Sequence, residues 1–328
     1  MSDRPLVVVL GASGLVGSAL VRRLADRPVR LRLVARRPPA LPGSYAADLT
    51  EPGAVARAVD GADVVINLLL YTGGEGTWRA AAEPMGERVN VGVVRDLVEA
   101  LRARRGDPPV VLFAGSTSQA GPRGGGRLDG SEPDVPVTAY DRQKLAAERL
   151  LESATAEGVA RAVTLRLPTV FGGKISPTAI DRGVVAAMAC RALDGRPLTV
   201  WGDGSAERDL LHAGDAAEAF LAALDHAGAL AGGHWLVGTG RGTSLIELFT
   251  TIARLAAEHT GRPPVPVLAV PPPGGLTAMD LTSVVADPAA FGARTGWRAR
   301  TPLREALLAT IATLTATPYR PPSEPLRR

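Results

Sequence analysis

The sequence of 328 residues is poor in several residue types that particular functions require. Its single cysteine, Cys190, allows no disulfide within the chain and no zinc site built on thiolates, and it fits a reducing compartment. The four histidines are scattered without the spacing of metal ligands, so we expect no catalytic metal. Aromatic residues make up only 4% of the chain, so the core must consist mainly of valine, leucine and alanine.

Long apolar runs and strong charge are also missing. The first apolar run, Leu6–Leu10, is too short to cross a membrane, and the pattern of a secretory signal is absent. The net charge of +4 is small for this length, and no basic run is interleaved with aromatic residues as in a nucleic-acid groove. We therefore expect a cytoplasmic protein that binds neither membrane nor nucleic acid, and whose mild basicity suits a small acidic substrate.

What the sequence does contain is a regular alternation of short apolar segments and amphipathic segments over its first two-thirds. Strands are predicted at residues 6–10, 31–35, 44–47, 64–69, 110–114 and 163–167. Helices are predicted at residues 16–26, 52–59, 85–104 and 140–157. This alternation indicates an α/β fold of the Rossmann type, a doubly wound parallel sheet with helices on both faces.

The alternation stops after Arg166, where proline, glycine and short helices become frequent. We expect residues 1–167 to form a dinucleotide-binding domain, to which a later segment near 205–238 returns. Residues 168–316 would form mainly a smaller α/β substrate lobe, with strands at 198–201 and 234–237. The glycine- and proline-rich stretch 120–138 is predicted to be a mobile loop, and 317–328 a flexible tail.

A glycine-spaced turn follows the first strand, with Gly11, Gly14 and Gly17 at intervals of three. The first glycine permits a tight turn, the second lets a pyrophosphate approach the backbone, and the third lets the helix lie close to the strand. The N–H groups and partial positive charge at the helix start, where Ser13 and Leu15 lie, suit phosphates. This context predicts a dinucleotide site, although a purely structural glycine turn is the alternative.

Two arginines decide which dinucleotide we expect. An NAD site usually ends the second strand with an acidic residue, whereas here Arg36 and Arg37 follow the strand. Guanidinium groups bind phosphate in a bidentate manner, so the pair predicts NADP(H), with Arg36 the stronger candidate and Arg37 a stacker on adenine. Two solvated surface arginines remain the alternative. Three further residues are predicted to contact the cofactor, near the adenine and the ribose: Asp48, Leu49 and Leu68.

The candidate catalytic residues follow later strands. Tyr140 and Lys144 are four residues apart on a helix, so they share one face, and an ammonium beside a phenol favours phenolate. This lowering of the pKa would prepare Tyr140 as a general acid or base. Ser116 follows the fifth strand, at the edge where such sheets carry their sites, and could hydrogen-bond a substrate carbonyl, with Thr117 as second choice.

Taken together, these residues resemble an extended short-chain dehydrogenase/reductase of the NAD-dependent epimerase/dehydratase group. The resemblance covers nearly all of residues 5–315 and is most like the NDP-hexose 4-ketoreductases of deoxysugar biosynthesis. It rests on the glycine turn, on Tyr140-x-x-x-Lys144 and on these further segments: Asn90, the Ser116 region, Arg166-Leu-Pro-Thr-Val-Phe-Gly172, Trp201-Gly-Asp-Gly204, Arg208-Asp-Leu-Leu-His212-x-x-Asp215 and Thr295-Gly-Trp297.

The resemblance implies roles for the matching residues. Tyr140 would exchange the proton, Lys144 would bind the nicotinamide ribose, and Ser116 would polarise the carbonyl. Asn90 would support a water or backbone link to Lys144. Two residues after the sixth strand would pack against the nicotinamide: Pro168 and Val170.

The resemblance also implies a nucleotide-sugar substrate and a homodimer formed through the helices at 85–104 and 140–157. Arg208 would grip the diphosphate and Trp201 would lie beside the base, although a surface ion pair and a core aromatic are the alternatives. An arginine that many relatives carry in the C-terminal lobe is replaced here by Pro271-Pro272-Pro273-Gly274-Gly275. Lys174 or Arg182 is therefore expected to assist Arg208.

The residues after Ser116 distinguish between reactions. Dehydratases of the group place an acidic pair there, whereas this chain has Thr117, Ser118 and Gln119, which disfavours dehydration. The arginine pair favours NADPH, a reductant that is consumed, and hence net reduction of a dTDP-4-keto-6-deoxyhexose at C4. The alternatives are an epimerase that retains its cofactor and a non-catalytic NADP-sensing protein of the same fold.

Overall fold

The structure, a computed structural model, describes residues 4–73, 82–122, 126–173, 183–272 and 278–316. Short β-strands run through this part of the chain. They are β1 (Leu6–Leu10), β2 (Arg30–Ala35), β3 (Ser44–Ala46), β4 (Val64–Asn67), β5 (Val110–Ser116), β6 (Arg127–Leu128), β7 (Arg161–Leu167), β8 (Thr169–Phe171), β9 (Leu198–Trp201), β10 (Glu207–His212), β11 (His234–Leu236), β12 (Gly242–Ser244), β13 (Val267–Val270) and β14 (Val285–Ala286).

Helices connect most of these strands. They are α1 (Leu15–Leu24), α2 (Ala54–Val59), α3 (Pro84–Glu87), α4 (Val93–Arg102), α5 (Ala139–Ala156), α6 (Val184–Leu193), α7 (Ala213–Asp225), α8 (Ala227–Leu230), α9 (Leu245–Thr260), α10 (Ala278–Leu281), α11 (Ala289–Thr295) and α12 (Leu303–Ala316). Two short segments have other helical geometries: a π-helical turn, wider than an α-helix, at Arg88–Gly92, and a 3₁₀ turn, tighter than an α-helix, at Thr117–Ala120. None of the helices in the described ranges is long and apolar enough to cross a membrane.

The largest sheet has seven parallel strands in the order β11-β7-β5-β4-β1-β2-β3. The chain builds outward from β1 in one direction and then, from β4, in the other. In such a sheet the crevice for a ligand lies at the carboxyl ends of the strands, where the order reverses. The doubly wound α/β fold expected from the sequence is therefore confirmed, and it places the turn after β1 beside the end of β4.

Both faces of this sheet are covered, which explains why its strands are apolar throughout. Helices α1 and α7 cover one face, with Leu20 and Phe220 among the fully buried side chains there. Helices α2, α4 and α5 cover the other face, where Leu97 and Leu151 are buried. The interior is rich in valine, leucine and alanine, as the scarcity of aromatic residues required.

A third hydrophobic cluster lies in the C-terminal half, where α6, α9 and α12 pack together around side chains such as Phe171, Leu248 and Ile252. Three small sheets accompany it: β12-β10-β8, β13-β9 and β14-β6. Between these pieces the chain returns to the large sheet, because β11 pairs with β7 and α7 packs on α1. These returning elements lie between Ala213 and Leu236.

Three segments differ from the sequence-based expectation. The helix predicted at 85–104 is divided by the π-helical turn, in which one extra residue widens the helix at Asn90. The fourth strand ends at Asn67 rather than 69, because the Asn67 side chain accepts a hydrogen bond from Leu69 N at 3.1 Å and turns the chain. Within 120–138, predicted to be a loop, Arg127–Leu128 form β6 and pair in parallel with β14.

Helix α1 approaches the turn after β1 very closely at Gly17. A Cβ atom placed on Gly17 would lie 2.2 Å from the carbonyl oxygen of Gly11 and 3.0 Å from Cα of Ala12. Both of those atoms belong to the backbone, so no side-chain rotation could relieve the overlap. Gly17 is thus required for the distance between helix and strand, as the glycine spacing predicted.

We expect Gly17→Ala to lower the free energy of unfolding by about 1–3 kcal/mol, because α1 must shift away from the turn. Urea denaturation followed by circular dichroism measures this change. Gly228→Ala in α8 is the control, because its added Cβ meets no atom of the described residues within 4 Å. Equal stability of the two variants would contradict the close-approach argument.

Candidate active site

The turn after β1 forms a tight cradle in which two glycines lie close to neighbouring backbone. Gly11 has φ +86°, and a Cβ atom there would lie 3.2 Å from the carbonyl group of Leu68 at the end of β4. Gly14 N donates to Gly11 O at 3.0 Å, and a Cβ on Gly14 would lie 3.3 Å from that same oxygen. Helix α1 begins directly after Gly14 and points its first N–H groups at this cradle, where Ser13 and Leu15 are half-buried. The cradle therefore fits a dinucleotide pyrophosphate.

The arginine pair lies beside the cradle, after β2. Arg36 and Arg37 are exposed, and neither makes a hydrogen bond to the part of the chain that the structure describes. Asp48 accepts hydrogen bonds from Thr50 N and Thr50 Oγ1, at 2.9 and 2.6 Å. These hydrogen bonds, helped by the charge of Arg36, hold the pKa of Asp48 below its usual range, while Leu49 is buried. A basic group thus lies near a carboxylate at the predicted adenosine end of the site.

Ser116 is the last residue of β5, and a capping box fixes its position. Its backbone N–H donates to Gln119 Oε1 at 2.8 Å, and its hydroxyl lies 2.7 Å from the hydroxyl of Ser118. Ser116 is 9% exposed and Thr117 5%, so both side chains are close to fully enclosed. The strand therefore delivers one hydroxyl, that of Ser116, to the carboxyl edge of the sheet.

Tyr140 meets this hydroxyl from helix α5. Thr138 caps the helix, because its hydroxyl accepts from Asp141 N at 3.1 Å while Asp141 Oδ2 accepts from Thr138 N at 3.0 Å. The cap places Tyr140 in the first turn, where its phenol hydrogen-bonds with Ser116. Ser116 and Tyr140, predicted separately from strand and helix patterns, are thus brought into contact.

Lys144 lies one turn further along α5 and is 2% exposed. Its Nζ donates to Ala114 O at 2.8 Å and to Leu69 O at 3.2 Å, and it lies 4.8 Å from the centroid of the Phe113 ring. An ammonium has three N–H donors, so two are used by the ends of β4 and β5. The third N–H is not taken by any of these contacts.

The electrostatics of this pair differ from the sequence-based expectation. Burial raises the pKa of Tyr140 to about 12; a hydrogen bond that Ser116 can donate to the ionised phenolate lowers it, and the charge of Asp141 raises it. Burial also lowers the pKa of Lys144 to about 7. The prediction that the ammonium makes the phenol acidic is therefore wrong. Desolvation dominates, and Nζ lies 6.0 Å from the centroid of the Tyr140 ring and points to the carbonyls.

Asn90 in the π-helical turn is 2% exposed and joins two neighbours of Lys144. Its Oδ1 accepts from Tyr71 N at 3.0 Å, and its Nδ2 donates to Gln143 Oε1 at 2.8 Å. Tyr71 lies two residues after Leu69, whose carbonyl receives Lys144, and Gln143 directly precedes Lys144. Asn90 thus fixes the segment of Tyr71 and the side chain of Gln143 on either side of Lys144. Its predicted water or backbone link to Lys144 stays a prediction.

A buried ion pair lies behind the serine turn. Arg166 of β7 binds Glu148 of α5 at 2.5 and 3.1 Å and Asp134 at 2.8 Å, and Glu148 is 1% exposed. Glu148 also accepts from Gln119 Nε2 at 2.9 Å, so the ion pair reaches the capping box of Ser116. His234 of β11 lies 3.4 Å from the same carboxylate.

One group of possible metal ligands occurs among the described residues: Glu148, Glu152 and His234. The Glu148 carboxylate is already bound by the guanidinium of Arg166, whose charge would repel a cation. This group therefore belongs to the structural ion pair rather than to a metal centre.

The remaining predicted residues lie outside the group formed by Ser116, Tyr140 and Lys144. Pro168 and Val170 are half-buried at the carboxyl end of β7 and in β8, and Val170 packs against the sheet core. Trp201 ends β9 and pairs with Val270 of β13. The guanidinium of Arg208 donates to Asp280 O and Thr282 O, both at 2.7 Å, so it holds the segment around α10. Two further predicted substrate contacts lie outside the described residues: Lys174 and Arg182.

Sequence reasoning missed Asp141, Ser118 and Gln119 as parts of the site. Ser118 Oγ donates to Asp141 Oδ1 at 2.6 Å, and Asp141 is 1% exposed. Two local patterns could have revealed them, because Ser116-x-x-Gln119 and Thr138-x-x-Asp141 both have the spacing of a capping box. Two carboxylates from α5, Asp141 and Glu148, thus lie near the serine turn, although none directly follows Ser116 in the sequence.

Known proteins are similar to this chain in sequence and in fold. The model of the NAD dependent epimerase/dehydratase family matches residues 7–238. A UDP-glucose 4-epimerase of Azospirillum brasilense is 35% identical over 144 residues, which are 39% of this chain and 40% of that protein. A dTDP-6-deoxy-L-talose 4-dehydrogenase (NAD(P)(+)) of Kitasatospora kifunensis is 31% identical over 319 residues, 92% of this chain and 93% of that protein. The solved structure of MoeE5 in complex with UDP-glucose and NAD superposes with a TM-score of 0.77 at 27% identity, over 95% of this chain and 99% of that one.

The low pKa of Lys144 predicts a pH-dependent stability. An unfolded lysine has a pKa of about 10.4, so between that value and about 7 the unfolded chain binds more protons than the folded protein. The free energy of unfolding contributed by Lys144 therefore rises as the pH increases from 7 to 10. We expect urea denaturation to show this rise, on the order of a few kcal/mol, in the parent and not in Lys144→Met.

The titration can also be observed directly. The chain has only two lysines, so selective isotope labelling of lysine gives two nuclear magnetic resonance titrations, which the Lys174→Arg variant assigns. A midpoint for Lys144 close to that of a free lysine would contradict the burial argument.

Proposed function

This chain belongs to the NAD-dependent epimerase/dehydratase family, and from that premise we propose that it reduces the keto group of a nucleotide-activated sugar with NADPH. The observation that carries the proposal is the convergence of Ser116, Tyr140 and Lys144 beside the glycine cradle. A hydroxyl, a phenol and an amine enclosed at one edge of the sheet suit proton transfer to an oxygen that becomes negatively charged.

The residues that would hold the cofactor are the glycine cradle, the start of α1 and Arg36, with Lys144 at the ribose. When bound, the reduced nicotinamide supplies the hydride. The chain's own residues do the rest. Tyr140 keeps its proton up to high pH, because burial raises its pKa to about 12, so the phenol is ready to protonate a developing alkoxide. Ser116 lies close enough to Tyr140 to contact the same oxygen.

Three observations favour reduction over the other reactions of the family. The carboxylates that the structure describes near the serine turn are committed, since Asp141 accepts from Ser118 and Glu148 binds Arg166, and this disfavours dehydration. The Kitasatospora relative is a 4-dehydrogenase of a dTDP-6-deoxysugar, and 4-dehydrogenation in reverse is 4-ketoreduction. A phenol held neutral serves a reductase better than an oxidase. We therefore propose a dTDP-4-keto-6-deoxyhexose as the substrate, reduced at C4.

The cofactor proposal rests on the exposed guanidinium groups after β2, which form no hydrogen bond to any described residue. Arg36 and Arg37 are available to a 2′-phosphate, and no acidic residue takes the place at the strand end where a ribose diol would be bound. The predicted homodimer would use the outer faces of α4 and α5, where Arg95, Glu99 and Arg149 are exposed. Light scattering of the purified protein tests that assembly.

We expect Tyr140→Phe to lower kcat for NADPH-dependent reduction of a dTDP-4-keto-6-deoxyhexose by about 10²–10⁴-fold, because the proton donor is removed. The dissociation constant of NADPH should change little. Loss of nicotinamide absorbance measures the first quantity and fluorescence titration the second. Tyr45→Phe in β3 is the control and should keep its turnover. Undiminished turnover in Tyr140→Phe, or no reduction of any such sugar by the parent, would refute the proposal.

A second variant tests the cofactor. Arg36→Ala should raise the dissociation constant of NADPH by about 10- to 100-fold, because hydrogen bonds to a charged phosphate are lost, while binding of NADH stays nearly the same. Arg30→Ala, at the opposite end of β2, is the matched control. An equal loss for both dinucleotides would show that Arg36 does not read the 2′-phosphate.

An epimerase that retains its cofactor is the second candidate. The 35% identity to a UDP-glucose 4-epimerase over 144 residues favours it. Such an epimerase would retain its dinucleotide through purification. It would also be active without added NADPH. Absorbance of the denatured protein, followed by chromatography of the released cofactor, separates this candidate from the reductase.

A further inference from the structure

A chain of hydrogen bonds runs from Tyr140 into the protein. The phenol contacts Ser116, the Ser116 hydroxyl lies 2.7 Å from that of Ser118, and Ser118 Oγ lies 2.6 Å from Asp141 Oδ1. The chain thus starts at the predicted proton donor and ends on the carboxylate of the next residue along the sequence. Asp141 is 1% exposed, so its charge is little screened by solvent.

Counting protons fixes the direction of every bond in this chain. A carboxylate only accepts, so Ser118 must donate its single proton to Asp141. Ser118 can then only accept from Ser116, and Ser116, whose single proton is used there, can only accept from Tyr140. Ser116 Oγ also accepts from Ser118 N at 3.3 Å, which fills its second lone pair.

The carboxylate is held in place independently of the serines. Its other oxygen accepts from Thr138 N at 3.0 Å, and it lies in the first turn of α5, where the partial charge of the helix favours an anion. Asp141 makes no ion pair with any other described residue that would neutralise it. The acceptor end of the chain is therefore both charged and fixed.

We propose that Asp141 is a positioning residue which, through Ser118 and Ser116, directs the Tyr140 hydroxyl as a hydrogen-bond donor and holds the phenol in its protonated form. This deepens the proposed reaction and rests on Tyr140 as the proton donor. A ketone that approaches Ser116 must first draw its proton away from Ser118. The resting site thus presents an acid to the substrate rather than a base, which suits reduction over the reverse oxidation.

The polar groups around Tyr140 limit which residues other than Asp141 could shift the ionisation of the phenol. Helix α5 contributes Asp141 and Lys144, and the Lys144 amine lies 6.0 Å from the ring centroid. The end of β5 and the turn after it contribute the linked hydroxyls of Ser116 and Ser118. A change at Asp141 can therefore be read through the phenol, provided that Lys144 is kept.

The test measures the ionisation of the phenol without substrate. Replacing Tyr140 by 3,5-difluorotyrosine, a more acidic phenol, brings its titration into a range in which the protein stays folded, and ultraviolet absorbance follows the phenolate. We expect Asp141→Asn to lower the midpoint by about one pH unit, and Ser118→Ala to lower it as well, because Ser116 is then free to donate. Thr138→Ala, which weakens the helix cap but keeps the chain, should leave the midpoint unchanged.

The chain of hydrogen bonds from Asp141 to Tyr140 is tested by combining variants. In the Ser118→Ala background, Asp141→Asn should produce a smaller shift than in the parent, because only the through-space charge remains. Equal shifts in both backgrounds, or an unchanged midpoint in Asp141→Asn, would overturn the proposal. If Asp141→Asn does not fold, the Ser118→Ala midpoint alone decides, and no fall refutes it. Because no nucleotide sugar is used, failure to find a reducible substrate would refute the proposed reaction and leave this result standing.

Discussion

The ion pair between Glu148 and Arg166 holds together the three elements on which the site is built. Glu148 comes from α5, which carries Tyr140 and Lys144, and Arg166 comes from β7, the neighbour of β5 in the sheet. Through Gln119, the same carboxylate also fixes the turn that presents Ser116. Removing one partner of a buried pair leaves an uncompensated charge, which typically costs about 3–5 kcal/mol. The relative position of phenol and serine hydroxyl therefore depends on charges that touch neither.

Desolvation determines the protonation of the two titratable groups that this ion pair helps to position. Tyr140 and Lys144 are both enclosed, and enclosure favours the neutral form of each, so that the phenol keeps its proton and the amine gives it up near neutral pH. A bound anionic dinucleotide would restore positive charge to Lys144, since an opposite charge nearby favours the ammonium. The charge of the amine would therefore follow the binding of the dinucleotide.

The sequence predicted the fold well because the signals that define it are local and repeated. Valine-rich runs such as Leu6–Leu10 match strands to the residue, and the glycine spacing correctly indicated the close approach of α1. Tyr140 and Lys144 could be paired because a helix fixes the face they share. The pKa values could not be predicted, because enclosure depends on packing between distant elements. The role of Asp141 was equally hidden, since only the tertiary fold brings Ser118 of one turn against the cap of α5. Arg208 shows the same limit, because its guanidinium binds the distant carbonyls of Asp280 and Thr282.

The return of α7 and β11 to the large sheet has a consequence for protein engineering. A fragment that stopped at Leu167 would expose the edge of β7 and leave α1 without the cover of Phe220. Chimaeras that exchange the C-terminal half with a relative must therefore keep α7 and β11 from the same parent as the glycine turn. The viable crossover points lie on either side of that returning piece, so grafting a new sugar specificity onto this scaffold requires two junctions rather than one.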